Sequence, residues 1–200
     1  MMTSRPLSFA ALAIAATLTV SACSSGEKPT ADPTNPSESP SPVAESSAAT
    51  VPSDWQTVDL DGVAEISVPP DWTVKSTGDA LDTLQAPKDS VGFPPGSATV
   101  GVGNLAGGDQ SEQLERSANY ELKTTYAGYT NLKRLPNEVI NDTTFFRLQF
   151  EGGADWYDVY GTVTPDGEYS IVFQWKFMKT LDRKQAEAIW SPVMPTFKML

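Results

Sequence analysis

Three carboxylates gather around a double glycine late in the chain: Glu151, Asp155 and Asp158 flank Gly152-Gly153. Two carboxylates facing across a cleft can hydrolyse a glycoside, one as acid and the other as base or nucleophile. Sequence spacing does not set the separation that this chemistry needs, and acids on hairpin loops are ordinarily just solvated. The same stretch is aromatic. Strand alternation puts Trp156 and Tyr160 on one face, Tyr157 and Val159 on the other. Exposed indoles and phenols stack on sugars or anchor a protein partner; beneath helices on both faces the same rings are core. Tyr120, Tyr126 and Tyr129 pose the same alternative.

Other chemistry is narrowed by what is missing. The sequence has no histidine and one cysteine, Cys23. Imidazole acid–base catalysis, the Ser-His-Asp triad and most transition-metal sites go with the histidines. Asp59-Leu-Asp61-Gly62 offers two carboxylates at i, i+2, but the twelfth position of a calcium loop starting at Asp59 is Pro70. It reads as a polar turn. Gly101-Val-Gly103-Asn-Leu-Ala-Gly107-Gly108 leads into a helix start, yet its spacing is GxGxxxG and Asp109 follows where phosphate would sit. No metal and no cofactor is expected.

The N-terminus gives an address. Arg5 precedes an apolar run, Leu7 to Val20, that at about 14 residues is too short for the roughly 20 a membrane span requires. A basic start, a short apolar run and small residues describe an export signal over 1–22. Val20-Ser21-Ala22-Cys23 resembles the bacterial lipobox, which implies cleavage between Ala22 and Cys23 and a diacylglyceryl group on Cys23. Two or more acyl chains anchor stably where one is marginal. From Ser24 to Ser53 the chain holds six Pro, eight Ser, three Thr and no aromatic residue. Such a stretch cannot bury enough apolar surface to offset its ordering entropy. Residues 23–53 are therefore expected to be a lipidated cysteine and a disordered tether, reaching roughly 30 Å as a coil and about 90 Å extended.

The net charge is 14 − 25 = −11. Phosphate backbones and anionic lipid surfaces repel such a chain, so nucleic acid is not expected as a partner.

Residues 54–200 hold all five tryptophans, all six tyrosines and seven of the eight phenylalanines, enough for a core. Val63 to Val68 alternates and stops at Pro69-Pro70; Trp72 and Val74 suggest a second short strand; Ser97 to Gly103 alternates again. Asp109-Gln-Ser-Glu112 reads as a capping box opening a helix over Gln110–Ala127, with Leu114, Ala118, Leu122 and Thr125 inward and Gly128 closing it. Strands follow at Glu138–Ile140, Thr144–Phe150, Trp156–Val163 and Tyr169–Phe177, joined by Asn141-Asp142, the loop Glu151–Asp155 and Thr164-Pro-Asp-Gly167. A last helix over Leu181–Trp190 ends before Pro192. This order predicts an α+β fold, an antiparallel sheet of about six strands with helices packed on it.

The pattern Trp55…Val63-x-x-Ile66-x-Val68-Pro69-x-x-Trp72 resembles the start of the PsbP-like fold, an α/β/α sandwich. With the lipobox and the tether, the chain is similar to the actinobacterial envelope lipoproteins of the LpqN/LpqT family, from Trp55 to about Phe197. That resemblance implies a non-catalytic binding or adaptor protein and supplies no catalytic residue. The expectation is a monomeric module lipid-anchored on the extracytoplasmic face of the cell membrane, not an enzyme, binding an envelope protein, glycan or lipid through Trp156, Tyr157 and Tyr160. The alternative is a carboxylate-dependent hydrolase of envelope glycans.

Overall fold

The five large residues Tyr169, Ile171, Phe173, Trp175 and Phe177 recur at every second position, and the strand they define lies inside the sheet. The computed structural model describes residues 50–76 and 81–200. The expected signal peptide, Cys23 and the tether through residue 49 lie outside the described residues.

In chain order the strands are β1 (Gln56–Leu60), β2 (Ala64–Val68), β3 (Thr73–Ser76), β4 (Leu81–Gln85), β5 (Gly96–Asn104), β6 (Thr130–Ile140), β7 (Thr143–Gly152), β8 (Asp155–Val163), β9 (Tyr169–Met178) and β10 (Lys198–Met199). Helix α1 spans Gln110–Tyr120 and α2 spans Arg183–Trp190. Seven strands form one antiparallel sheet in the order β3-β4-β5-β9-β8-β7-β6, and β1-β2-β10 form a second. The fold is α+β, as expected, with more strands than the six anticipated.

The large sheet is covered differently on its two faces. One face carries Ala98, Val100, Phe145, Tyr160, Phe173, Trp175 and Phe177. It packs against Leu60, Ile66 and Val68 of the small sheet, against Ala186 and Trp190 of α2, and against Phe197. The opposite face carries Phe146, Leu148, Phe150, Val159 and Val163 beneath Leu114 and Ala118 of α1. Because α1 crosses β7 and β8, the same face of β5 and β9 has only partial cover. Ser97, Thr99, Val172 and Gln174 are half-exposed there and Lys176 is exposed.

Local chemistry explains the turns. Asn141 and Asp142 both have positive φ (47° and 61°), the type I′ geometry whose twist suits a two-residue hairpin. Asp59 Oδ1 accepts from Gly62 N at 2.8 Å, which makes Asp59–Gly62 the turn between β1 and β2. In the Thr164–Gly167 turn, Gly167 N donates to Thr164 O at 2.9 Å, and Asp166 Oδ1 accepts from Thr164 Oγ1 and Glu168 N. Those two hydrogen bonds hold the Asp166 carboxyl below its ordinary range.

The first helix differs from expectation. Asp109 accepts from Glu112 N at 2.8 Å, but the Glu112 side chain pairs with Arg116 at 2.7 Å instead of reaching back. After Tyr120 the helix widens into a π turn over Glu121–Thr125, closed by Tyr126 N donating to Glu121 O. The extra residue rotates the inward stripe away, so Leu122 is half-buried and Thr125 exposed. Gly128 does not close the helix. The second helix begins two residues later than expected, and Asp182 and Gln185 form its full capping box, at 2.8 Å in each direction. Asp182→Ala removes the Asp182 side-chain acceptor from that box. It is expected to lower stability by about 1 kcal/mol, read as a shifted denaturation midpoint with an unchanged slope.

Candidate functional site

Alternation along β8 divides its aromatic residues between two environments. Trp156, Asp158 and Tyr160 point toward α2; Tyr157 points to the α1 side, where its ring stacks on Phe150 at 4.7 Å and 13°. The three rings proposed as one surface are therefore not one surface. Tyr160 is fully buried and belongs to the core, which corrects its assignment to a binding face. Burial pushes its phenol pKa well up. Trp156 is half-buried, with its indole N–H donating to Leu181 O at 3.1 Å. Tyr126 is buried, while Tyr120 and Tyr129 remain exposed.

What the α2 side presents is a layer of cations laid over aromatic rings. The Arg147 guanidinium lies 4.6 Å from the Tyr160 ring centre and 5.9 Å from that of Trp190. Arg183 sits 4.4 Å over Trp156, and the Lys179 ammonium 5.5 Å from the same ring. Each cation also takes a carboxylate: Arg147 with Glu138 at 2.5 Å, Arg183 with Asp158 at 3.1 Å, Lys179 with Glu151 at 2.8 Å. Contact with a ring face suits guanidinium, which is weakly hydrated and planar. Lys133, Arg147, Gln149, Asp158, Arg183, Glu187 and Trp190 line a cleft here of about 420 Å³, within the size range of ligand sites.

The three carboxylates do not converge. Glu151 on β7 pairs in register with Trp156, so Glu151 and Asp158 share the α2 side. Asp155 points to the other face and pairs with Lys176 at 3.2 Å. Hydrogen bonds from Lys179 and Asn131 hold the Glu151 carboxyl below its ordinary range. Burial pushes Asp158 up, against the opposing pull of Arg183 and Arg147.

The glycine-rich loop has no free cradle for phosphate. Gly101 and Gly103 are strand residues, and the loop's amides are spent on the β8–β9 turn. Leu105 N donates to Glu168 O, Gly107 N to Gly167 O and Gly108 N to Asp166 O, at 2.6, 3.1 and 3.0 Å. The two backbones meet so closely that a Cβ on Gly167 would sit 2.5 Å from Gly108 O.

Arg147 and Arg183, the residues that define the cleft, were not singled out by sequence reasoning. A signal existed for the first: Arg147 alternates with Phe145 on a strand whose other face is Phe146, Leu148 and Phe150. A charge inside such a pattern must be paired or serve a site.

No protein-family model and no curated protein matches the sequence. Two solved structures align with the chain. LpqN of Mycobacterium tuberculosis, described as involved in cell envelope biogenesis, aligns at a TM-score of 0.50 with 13% identity, over 72% of this chain and 90% of that one. A Bacteroides thetaiotaomicron protein aligns at 0.44 with 12% identity; the alignment covers 70% of this chain and a little under half of that one (46%). At such identities the likeness shows the fold: this is an α+β domain of LpqN-like architecture. Among the described residues no helix is long and apolar enough to cross a membrane.

Proposed function

We propose that the chain is a non-enzymatic binding module of the bacterial cell envelope, lipid-anchored at Cys23 and of the LpqN/LpqT kind, with the cleft beside α2 as its recognition surface. The carrying observation is the cleft itself. Guanidinium groups rest on aromatic rings and present their remaining donors beside the acceptors of Gln149, Asp158 and Glu187. Such a surface suits a polar partner, the hydroxyls of an envelope glycan or the charged side chains of an envelope protein. The lipobox-like Val20-Ser21-Ala22-Cys23 and the Ser/Pro tether support the anchored placement, and the LpqN-like fold agrees with it.

Crosslinked pull-down from intact cells tests the reading. The expected result is a reproducible partner, lost with Arg183→Glu or Lys133→Glu in a folded protein, and Cys23→Ser shedding the protein from the membrane fraction. Membrane retention of Cys23→Ser, or a partner indifferent to both cleft charges, would sink it.

One observation favours the hydrolase as a second reading: Glu151 and Asp158 lie on one face with pKa values shifted in opposite directions, the division of labour between a carboxylate and an acid. Against it, each is already engaged by a cation. Turnover of envelope glycans that disappears with both Glu151→Gln and Asp158→Asn would establish this reading in place of the first.

A further inference from the structure

On the sheet face opposite the cleft, α1 leaves a groove of about 340 Å³ between its own C-terminal half and the β5–β9 pair. Its walls are mostly apolar, with Leu105 and Val172 along the floor and the exposed Tyr120 at the rim. Ser117, Ser170 and Asn104 supply polar edges. Glu121 lines this groove one α-helical turn after Ser117, at the residue where the π turn begins, and π turns commonly mark functional positions in helices. The Glu121 oxygen Oε2 is closed off from solvent and accepts no hydrogen bond. A buried carboxylate oxygen without a donor is costly. The one cation lining the groove, Arg116, is engaged by Glu112 at 2.7 Å.

We propose that this groove is a binding site for a cationic amphiphile: an ammonium group that donates to Glu121, carried on an aliphatic stem that lies along Leu105 and Val172. The occupant follows from complementarity. The groove offers an unanswered carboxylate at one end and apolar walls along its length, on a chain with a net charge of −11. An anionic amphiphile would meet that carboxylate, and a neutral one would leave its charge uncompensated.

The groups facing Glu121 are Arg116 and Tyr120 on α1, Thr125 on the π turn, and Tyr126, whose phenol pKa its charge helps to raise. Burial raises the Glu121 pKa against the opposing pull of the Thr125 hydroxyl, so the folded protein holds this proton at higher pH than the unfolded chain. The stability this contributes is full below the unfolded value of 4.5 and is lost as pH rises through the folded value. Glu121→Gln is therefore expected to melt higher than wild type at neutral pH and alike in acid.

The binding test titrates the intact protein with n-octylammonium, n-octanol and octanoate, reading amide shifts at Asn104, Leu105, Ser170 and Val172. The amine is expected to saturate these shifts at least tenfold more tightly than the alcohol, and octanoate not to bind. Glu121→Gln should erase that preference, and Ser117→Phe, which fills the groove without touching the carboxylate, should abolish binding of all three. A free amine and a lipid headgroup share this chemistry. Glu121-dependent sedimentation with phosphatidylethanolamine vesicles assigns it to the membrane, and binding of free octylammonium alone assigns it to a soluble ligand. Equal affinity for amine and alcohol, preference surviving Glu121→Gln, or no saturable shift in any titration overturns the proposal.

Discussion

Gly161→Val is expected to cost the domain about 3 kcal/mol, the upper end of overpacking penalties, and to lower the melting temperature by roughly 10 °C. Gly161 on β8 stands directly opposite Phe146 on β7. The Phe146 ring lies across the space where a Cβ would be, so any side chain at 161 would land inside it. Both residues are fully buried beneath α1, which leaves the ring no direction in which to yield. This is an aromatic ring covering a strand glycine. The check is non-additivity: Phe146→Ala alone should cost about 3–5 kcal/mol, while the double variant should cost clearly less than the sum. Strict additivity would show that the ring is not what excludes a side chain.

Phe197→Ala is expected to cost about 3–5 kcal/mol, a large part of the 5–15 kcal/mol typical of a whole domain. Phe197 is fully buried, edge-to-face with Phe145 at 5.2 Å and Phe173 at 5.7 Å. Its carbonyl accepts from Asn141 Nδ2 at 2.9 Å, binding the chain end to the β6–β7 hairpin. Its neighbour Thr196 accepts from Ser67 N at 2.9 Å on β2. The segment thus clamps the small sheet to the large one, and truncation should loosen both. The adjacent Lys198→Ala, which removes only an exposed pair with Glu65, should stay within about 0.5 kcal/mol of wild type. Comparable losses from both variants would mean that the clamp is not Phe197.

The sequence was most legible where one side of a strand is dry. β7, β8 and β9 could be read because Phe146, Leu148 and Phe150, and the series from Ile171 to Phe177, alternate without interruption and end at strong turn residues. β6 was seen only at its last three residues. It is the sheet's edge, mostly exposed, with Pro136 inside it and two irregularities of register. β4, Leu81-Asp-Thr-Leu-Gln85, is too short and mixed to show a period, and β10 exists only because β2 is there to pair with it. The π turn left no local mark.

The site was harder to read than the fold, for a physical reason. Alternation placed Trp156 and Tyr160 correctly on one face, but exposure depends on what covers that face. Arg147 reaches Tyr160 from β7 and Arg183 reaches Trp156 from α2. Contacts between residues so distant in sequence have no signature in spacing. For the carboxylates, alternation along β8 already puts Asp155 and Asp158 on opposite faces, and only the pairing with β7 brings Glu151 to the Asp158 side.

The most direct test of the binding account is position-specific photo-crosslinking of the anchored protein in living cells. One probe replaces Glu187, exposed at the cleft; the other replaces Lys75, exposed on β3 at the far edge of the sheet. The account predicts a discrete adduct from position 187, absent from position 75 and lost when Arg183→Glu is added. Identical adducts from both positions, or adducts at neither under conditions that trap a control lipoprotein, would contradict it.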